Sequence, residues 1–374
     1  MSAARETLLP LTSLRFVAAL LVFSWHCVPT RRISAMFSFG YIGVAFFFLL
    51  SGFILTYTYH QTFRDRLRPA AIRAFYAARF ARVYPLHLAT MPLMLAVLAY
   101  LGTDSLWSGV DPQTRLRAVA AQALLVQSWI AAVPISFGVN GPAWSISVEA
   151  FFYALFPFVA FGLLRAFRGS PPHVVLLGAG ALWLVQALLL WPQPAVVDDW
   201  RWYVFPPSRL IDFVVGMLLG IAFVGARESQ RRRLHATSLE MFAIAGVCLA
   251  VYVSPFVPLS MRFSAWVMPA WCGVIYVFAQ RRGAISRVLS WAPLVRLGEI
   301  SFAFYLCHLM VVKLVDGRVG WDHPLSLTLA FGGTLALSFA LHHGVERPLR
   351  TRVRALLARP GPRAIGVPAA AVGR

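Results

Sequence analysis

The segment GYIGVAFFFLLSGFILTYTY (residues 40–59) carries no charged side chain. An apolar helix of about 20 residues is long enough to cross the hydrocarbon core of a bilayer. Nine other apolar segments have comparable length: roughly 13–30, 83–101, 144–165, 174–192, 206–224, 238–254, 263–280, 296–315 and 324–345. The sequence therefore predicts an all-α fold, a polytopic membrane helical bundle of about ten transmembrane helices.

The composition of the whole chain agrees with this prediction. Of its 374 residues, 59% are hydrophobic and 13% are charged, whereas soluble domains are about 25% charged. This composition excludes an ordinary soluble enzyme and a disordered chain. The formal net charge of +20 would also suit a nucleic-acid partner. Here, however, the arginines punctuate apolar segments, so we expect no nucleic-acid binding.

The distribution of arginines predicts the orientation of the bundle. With the N-terminus in the cytoplasm, the inside segments hold 23 arginines and the outside segments hold seven. Because cytoplasmic loops carry the excess of basic residues, we expect a multi-pass protein of the plasma membrane with both termini cytoplasmic. Residues 1–346 then form the membrane domain, and 347–374 form a basic cytoplasmic tail. The segment 118–131 is too short to span and is predicted to be a re-entrant or interfacial helix.

Four ionisable side chains on four different predicted spans lie at one depth in the membrane, where they are costly and therefore mark a candidate site. A rise of about 1.5 Å per residue places His26, Glu149, Asp212 and His308 about 18–22 Å from the inner membrane edge. Neutral imidazole can accept a proton, and a carboxylate can orient it. The shared depth thus favours His26 as a general base paired with Glu149. Hydrogen bonding between helices remains the alternative for each residue taken singly.

A second group of candidate residues is basic. Arg79 and Arg82 are three positions apart, a spacing that puts both guanidinium groups on one face of a helix. Arg15 lies near the cytoplasmic end of the first span. Together, the three arginines could bind phosphate groups through bidentate hydrogen bonds. Anchoring at the anionic inner leaflet is the alternative for these arginines.

Seven segments, in chain order, resemble the acyltransferase 3 family of integral membrane proteins. They are LTSLRFVAALLVFSWH (11–26), GYIGVAFFFLLSGFILTYTY (40–59), FYAARFARVYPLHL (75–88), GPAWSISVEAFFYALFP (141–157), SRLIDFVVGMLLG (208–220), LGEISFAFYLCHLMVV (297–312) and VERPLRTRVR (345–354). Family members are bundles of about ten spans. They transfer acyl groups from cytoplasmic acyl-CoA to hydroxyls, commonly on glycans, lipid-linked sugars or macrolide-type metabolites. The resemblance therefore implies an acyl-CoA-dependent O-acyltransferase.

The resemblance also implies roles for individual residues. His26 matches the family's catalytic histidine and Arg15 its first-span arginine. Arg79 and Arg82 match the R-x-x-R pair, which implies that they and Arg15 dock the phosphates of CoA. We expect no permanently bound cofactor and no metal, with acyl-CoA as co-substrate and acetyl-CoA as the favoured donor.

Two further residues match the family pattern, and two features of the chain depart from it. Glu149 matches the glutamate of the W-S-[LI]-S-x-E motif, and His308 matches a late-span histidine. Position 150, where a second acidic residue often follows, is Ala150. No SGNH-type hydrolase domain follows the bundle, so we expect any such partner to be a separate periplasmic or extracellular protein.

The implied mechanism has His26, held by Glu149, deprotonating an acceptor hydroxyl that attacks the thioester in the membrane. The tetrahedral oxyanion needs hydrogen-bond donors. The candidates for contacts with substrate or oxyanion are Trp144, Ser145, Ser147, Arg209, Asp212 and His308. The rival reading is a polytopic transporter or flippase of a glycan or lipid precursor, because polar layers also serve substrate pathways.

Overall fold

The computed structural model describes residues 6–27, 39–102, 107, 109–191, 200–227 and 235–357. Within these ranges every regular element is helical and no strand occurs, which confirms the all-α prediction. The first predicted span, 13–30, runs beyond residue 27, and most of the predicted tail, 358–374, also lies outside the described residues.

Sixteen α-helices are found in the part of the chain that the structure describes. In chain order they are α1 (Leu9–His26), α2 (Tyr41–Phe63), α3 (Pro69–Leu101), α4 (Pro112–Ala123), α5 (Val133–Ser136), α6 (Trp144–Ala166), α7 (Pro172–Leu190), α8 (Trp200–Tyr203), α9 (Pro206–Arg227), α10 (Ala236–Val253), α11 (Leu259–Arg262), α12 (Met268–Ala279), α13 (Ala284–Leu289), α14 (Ala292–Arg318), α15 (Ser326–Leu341) and α16 (Arg347–Leu357).

Eight helices among the described residues are long and apolar enough to cross a membrane, namely α1, α2, α3, α6, α7, α9, α10 and α14. The two remaining predicted spans, 263–280 and 324–345, correspond to shorter helices, α12 with 12 residues and α15 with 16. Helix α3 begins 14 residues before the predicted start at 83 and is 33 residues long. Arg79 and Arg82 therefore lie within this helix.

Helix α2 is the most buried of the eight, and its most extensive contact is with α9. Glycines allow the two backbones to approach closely. A Cβ at Gly52 would overlap the carbonyl oxygen of Phe213, and one at Gly216 would overlap that of Leu49. Gly216 and Gly220 form the small-xxx-small pattern that permits close packing of membrane helices.

A buried polar network holds α9 against its other neighbours. Arg209 Nη2 lies 2.8 Å from Asp212 Oδ2, and both side chains are fully buried. Asp212 Oδ1 accepts hydrogen bonds from Gln186 on α7 and from the hydroxyl of Ser264. The sequence predicts that Arg209 and Asp212 contact substrate or the oxyanion. The structure instead makes them packing residues that join α7, α9 and the chain before α12.

The segment 118–131 is not one helix. Helix α4 ends at Ala123, Leu125 has a positive φ of 57°, and a 3₁₀ turn follows at Gln127–Trp129. The turn is tied to the start of α6, because Gln127 Nε2 donates to the carbonyl of Ala143 at 2.9 Å and Ser128 Oγ donates to that of Trp144 at 2.6 Å. The segment is therefore not the single helix that the sequence predicts, and its second half packs against the start of α6.

The last part of the described chain turns back onto α3. Helix α15 continues through one π-helical turn at His342–Glu346 into α16, which packs against α3. Single π turns inside α-helices often occur at functional sites. Here the turn places Glu346, which is 2% exposed, in contact with α3.

The glycine contacts predict a position-specific loss of stability. Replacing Gly216→Ala inserts a methyl group into the backbone of α2 and should cost about 1–3 kcal/mol or more. The matched control is Gly246→Ala on α10, where a Cβ meets nothing within 4 Å. Thermal unfolding of the purified protein should show a lower midpoint for the first variant and an unchanged or higher one for the second. Equal midpoints would contradict the close packing.

The buried ion pair predicts a second effect on stability. Asp212→Ala leaves the Arg209 guanidinium buried without its carboxylate, which should destabilise the fold by about 3–5 kcal/mol. The double variant Arg209→Met/Asp212→Leu removes both charges and should recover most of that loss, because no unpaired charge remains. Denaturation curves of the three proteins check this. A double variant as unstable as Asp212→Ala would show that the pair is not the cause.

Candidate active site

Two cavities lie end to end inside the bundle. The first, which we name the arginine cavity, has an empty volume of about 890 Å³ with its opening included. Its polar lining includes Arg15, Arg79, Arg82 and Glu149. The structure thus brings together three arginines from two different helices, as the spacing of Arg79 and Arg82 and the low position of Arg15 predicted.

The second cavity, which we name the histidine cavity, has an empty volume of about 1390 Å³. His26, at the end of α1, lines it together with Lys313. The rest of the wall is apolar for the most part, and its aromatic members include Trp25, Tyr41, Trp144, Trp200 and Tyr203. Flat aromatic faces with a few polar tips suit an acceptor that has both apolar and hydroxyl-bearing surface.

Val44 and Tyr305 line both cavities and form the wall between them. Tyr305 is held in place by its hydroxyl, which lies 2.8 Å from Ser145 Oγ and donates to the carbonyl of Pro142 at 2.9 Å. Among the described residues, these two side chains are the ones that the linings of both cavities share.

Glu149 lines the arginine cavity, whereas His26 lines the histidine cavity. Its Oε1 accepts hydrogen bonds from Ser51 at 3.2 Å and from Tyr153. Arg15 is near enough to attract the carboxylate electrostatically. The predicted pairing of His26 with Glu149 is corrected by this arrangement, because the two side chains line different cavities.

The partner of His26 is His308. The two rings are 4.9 Å apart between centroids, and His308 Nε2 lies 3.2 Å from His26 Nδ1. His26 Nδ1 is also 2.9 Å from the carbonyl oxygen of Val22, and His308 Nδ1 is 2.6 Å from that of Tyr305. His308 is fully buried and lines neither cavity.

These contacts assign the ring protons of a neutral pair, because carbonyl oxygens only accept hydrogen bonds. His308 Nδ1 must carry a proton to bond to Tyr305, so its Nε2 is an acceptor. His26 Nδ1 must then carry the proton that is shared between His308 and Val22. The lone pair of His26 is left on Nε2. The hydrogen bonds of His26 within the described part of the chain use Nδ1, so Nε2 can act as a base.

The three arginines of the arginine cavity differ in their partners. Arg82 forms an ion pair with Glu346, whose other oxygen is 2.9 Å from His342 Nδ1. Arg79 stands over the ring of Tyr153, 5.9 Å from its centroid, and its Nε has no hydrogen-bond partner among the described residues. Positive charge is therefore in excess at this end of the bundle.

The other predicted contact residues are divided among several environments. Trp144 lines the histidine cavity, and Ser145 lines the arginine cavity beside Tyr305. Ser147 lines neither, because its hydroxyl donates to the carbonyl of Leu125 at 2.6 Å. Arg209 and Asp212 also line neither cavity, as described above. Both ring nitrogens of His308 are occupied, so the oxyanion role predicted for it is not available.

Sequence reasoning missed four residues that shape the site. Tyr153 had a detectable signal, because it lies four positions after Glu149 on the same helix. Glu346 is an isolated acid among basic residues, which also hinted at a partner. Ser51 and Tyr305 gave no signal, since their contacts join helices far apart in sequence.

Comparisons with known proteins agree with this architecture. A family model described as an acyltransferase domain, of the acyltransferase 3 family, matches residues 11–343. The acyltransferase MdmB of Streptomyces mycarofaciens is 29% identical over 90% of this chain and 90% of its own length. The exopolysaccharide production protein ExoZ of Rhizobium meliloti is 28% identical, over 85% of this chain and 92% of its own.

A longer relative is the peptidoglycan O-acetyltransferase OatA of Listeria monocytogenes, which is 25% identical over 83% of this chain. The match spans about half of that protein, 51% of its length. No solved structure is significantly similar to the chain. The apolar helices show a multi-pass protein embedded in a membrane. Since the family model matches nearly the whole bundle, the chain belongs to the acyltransferase 3 family and is an enzyme that transfers acyl groups.

Proposed function

We propose that this protein moves a short acyl group from cytoplasmic acyl-CoA to a hydroxyl of a glycan, a lipid-linked sugar or a macrolide-type metabolite. The observation that carries the proposal is the pair of cavities separated by Val44 and Tyr305. One cavity holds arginines suited to phosphates, and the other holds an imidazole with a free lone pair. The O-acetyltransferase among the relatives supports acetyl as the transferred group.

The donor enters at the arginine end, which we place on the cytoplasmic side of the plasma membrane. Arg15, Arg79 and Arg82 bind the phosphates by bidentate, charge-assisted hydrogen bonds. The pantetheine arm extends past Glu149 toward the wall, along apolar side chains such as Phe47 and Phe48. About 16 Å of helix separates Arg15 from His26, at 1.5 Å per residue. The phosphates thus remain at one end while the thioester approaches the other.

The acceptor occupies the histidine cavity. Its hydroxyl lies against Nε2 of His26, and its larger apolar or sugar surface packs on the aromatic wall formed by Trp25, Trp144 and Tyr203. Because donor and acceptor enter from opposite ends, they meet only where Val44 and Tyr305 separate the cavities. Transfer requires the thioester to reach between these two side chains.

The chemical step is a direct acyl transfer. Nε2 of His26 takes the proton of the acceptor hydroxyl as the oxygen attacks the thioester carbonyl. The tetrahedral intermediate then collapses, the carbon–sulfur bond breaks, and the CoA thiolate takes the proton back from His26. The products are the ester and free CoA. Trp144 and Ser145, which line the histidine and arginine cavities respectively, are the proposed hydrogen-bond donors to the oxyanion. Ser145 would exchange its 3.0 Å bond to the carbonyl of Pro142 for the bond to the oxyanion.

Replacing His26→Ala should abolish most of the activity. Loss of a general base costs typically about 10²–10⁴-fold in kcat, whereas binding of acyl-CoA should be unchanged because the arginines are intact. The assay follows release of CoA from acetyl-CoA by protein in nanodiscs, with an acceptor identified by mass spectrometry of extracts treated with the wild type. His173→Ala, an exposed histidine at the start of α7, is the control. Wild-type turnover by His26→Ala would refute the proposal, and acceptor movement without ester formation would favour a transporter.

Variants of His308 test the proton arrangement of the histidine pair. His308→Leu removes the acceptor for the His26 Nδ1 proton. Because this hydrogen bond becomes charge-assisted when His26 is protonated, its loss should lower kcat about 10–100-fold. His308→Gln keeps an amide oxygen that can accept the same hydrogen bond, and should retain most of kcat. KM for acetyl-CoA should change little in either. Equal losses in both variants at unchanged thermal stability would contradict a positioning role for His308.

A further inference from the structure

Helix α16 carries four arginines that the proposed reaction does not use: Arg347, Arg350, Arg352 and Arg354. The helix packs against α3, the helix of Arg79 and Arg82. The π turn before it fixes the contact, because Glu346 forms an ion pair with Arg82. Residues four apart lie on the same face of a helix. Arg350 therefore follows Glu346 by one turn, about 6 Å, on the side that faces α3.

The electrostatic environment of Arg350 is repulsive. Partial burial lowers the pKa of Arg350, and the nearby positive charges of Arg79 and Arg15 lower it further. The carboxylate of Glu149 is bonded to Ser51 and Tyr153, and that of Glu346 to Arg82 and His342. Among the described residues, no carboxylate pairs with Arg350 or Arg79. Like charges held this close are stabilised when a polyanion binds between them.

The nucleotide portion of CoA is such a polyanion and carries its negative charge on two separate groups. Its pyrophosphate continues into the pantetheine arm, and its 3′-phosphate projects from the ribose at the other end. A phosphomonoester carries a charge of about −1.5 to −2 near neutral pH. Arg15, Arg79 and Arg82 line the cavity that receives the arm, so they face the pyrophosphate. Arg350 does not line that cavity, but it is near enough to Arg79 to repel it electrostatically. It is therefore the arginine placed to meet the ribose end of a nucleotide whose pyrophosphate lies at Arg79.

We infer that Arg350 binds the 3′-phosphate of the acyl-CoA donor, as a second phosphate subsite at the mouth of the arginine cavity. The inference rests on the proposed function and adds to it a residue that distinguishes CoA from its 3′-dephospho form. The phosphate of an anionic lipid headgroup has the same chemistry. If it is the ligand, Arg350 anchors α16 to the membrane surface and does not bind the donor.

Binding measurements on the full-length protein in phosphatidylcholine nanodiscs separate the two phosphate sources without needing an acceptor. Calorimetric titration with CoA and with 3′-dephospho-CoA should show tighter binding of CoA to the wild type. Arg350→Gln should weaken binding of CoA about tenfold and leave binding of 3′-dephospho-CoA unchanged. Arg79→Gln should weaken binding of both ligands, because it faces the pyrophosphate.

The matched control is Arg352→Gln, which removes the same charge from the opposite face of the same helix and should leave both affinities unchanged. Two results would overturn the Arg350 subsite. The Arg350→Gln variant could lose the same affinity for CoA and for 3′-dephospho-CoA, or it could bind CoA as tightly as the wild type does. Repeating the titrations with added phosphatidylglycerol tests the lipid source. An effect of Arg350→Gln seen only with that lipid would assign the residue to the headgroup and also overturn the subsite. Absence of CoA binding to the wild type would instead remove the proposed donor itself.

Discussion

The backbone contact between α2 and α9 is the constraint on which the site depends. It exists because Gly52 and Gly216 have no side chains, so each helix lies directly against carbonyl oxygens of the other. Helix α2 then presents Val44 at the wall between the cavities and Ser51 at Glu149, about 10 Å apart along one rigid rod. In a membrane, where apolar burial from water does not drive helices together, such close packing is a main source of stability. Small residues here set the position of polar ones.

The arrangement of charge explains why one bundle can hold both a phosphate site and a base. Guanidinium groups close to the imidazole of His26 would disfavour its protonation as it takes up the proton of the hydroxyl. The structure keeps the three arginines of the arginine cavity at the other end from His26, with Val44, Tyr305 and apolar side chains between. Among the described residues, the cation that lines the cavity of His26 is Lys313. Glu149 and Glu346 compensate part of the charge at the arginine end. His308 supplies a neutral hydrogen-bond acceptor to His26 where a carboxylate was expected.

Much of the candidate site was predictable, and the failures share one cause. The spacing of Arg79 and Arg82 fixed their common face, because helical geometry is local. The predicted depths of His26 and His308 along their helices are also similar, and the two side chains are in contact in the structure. Depth along a helix axis, however, says nothing about the direction in which a side chain points around that axis. Glu149 and Asp212 have similar predicted depths, yet one faces the arginine cavity and the other a sealed network with Arg209.

The sequence by itself determined an all-helical membrane bundle, because twenty apolar residues without backbone partners in lipid can only form a helix. It also determined which rare polar groups to examine, since each is costly in hydrocarbon. Only the tertiary structure decided which of them meet. Tyr305, Glu346 and Ser51 act through neighbours more than 90 positions away in sequence. Such contacts depend on how helices rotate and pack against one another, and a pattern read along the chain contains no measure of that rotation.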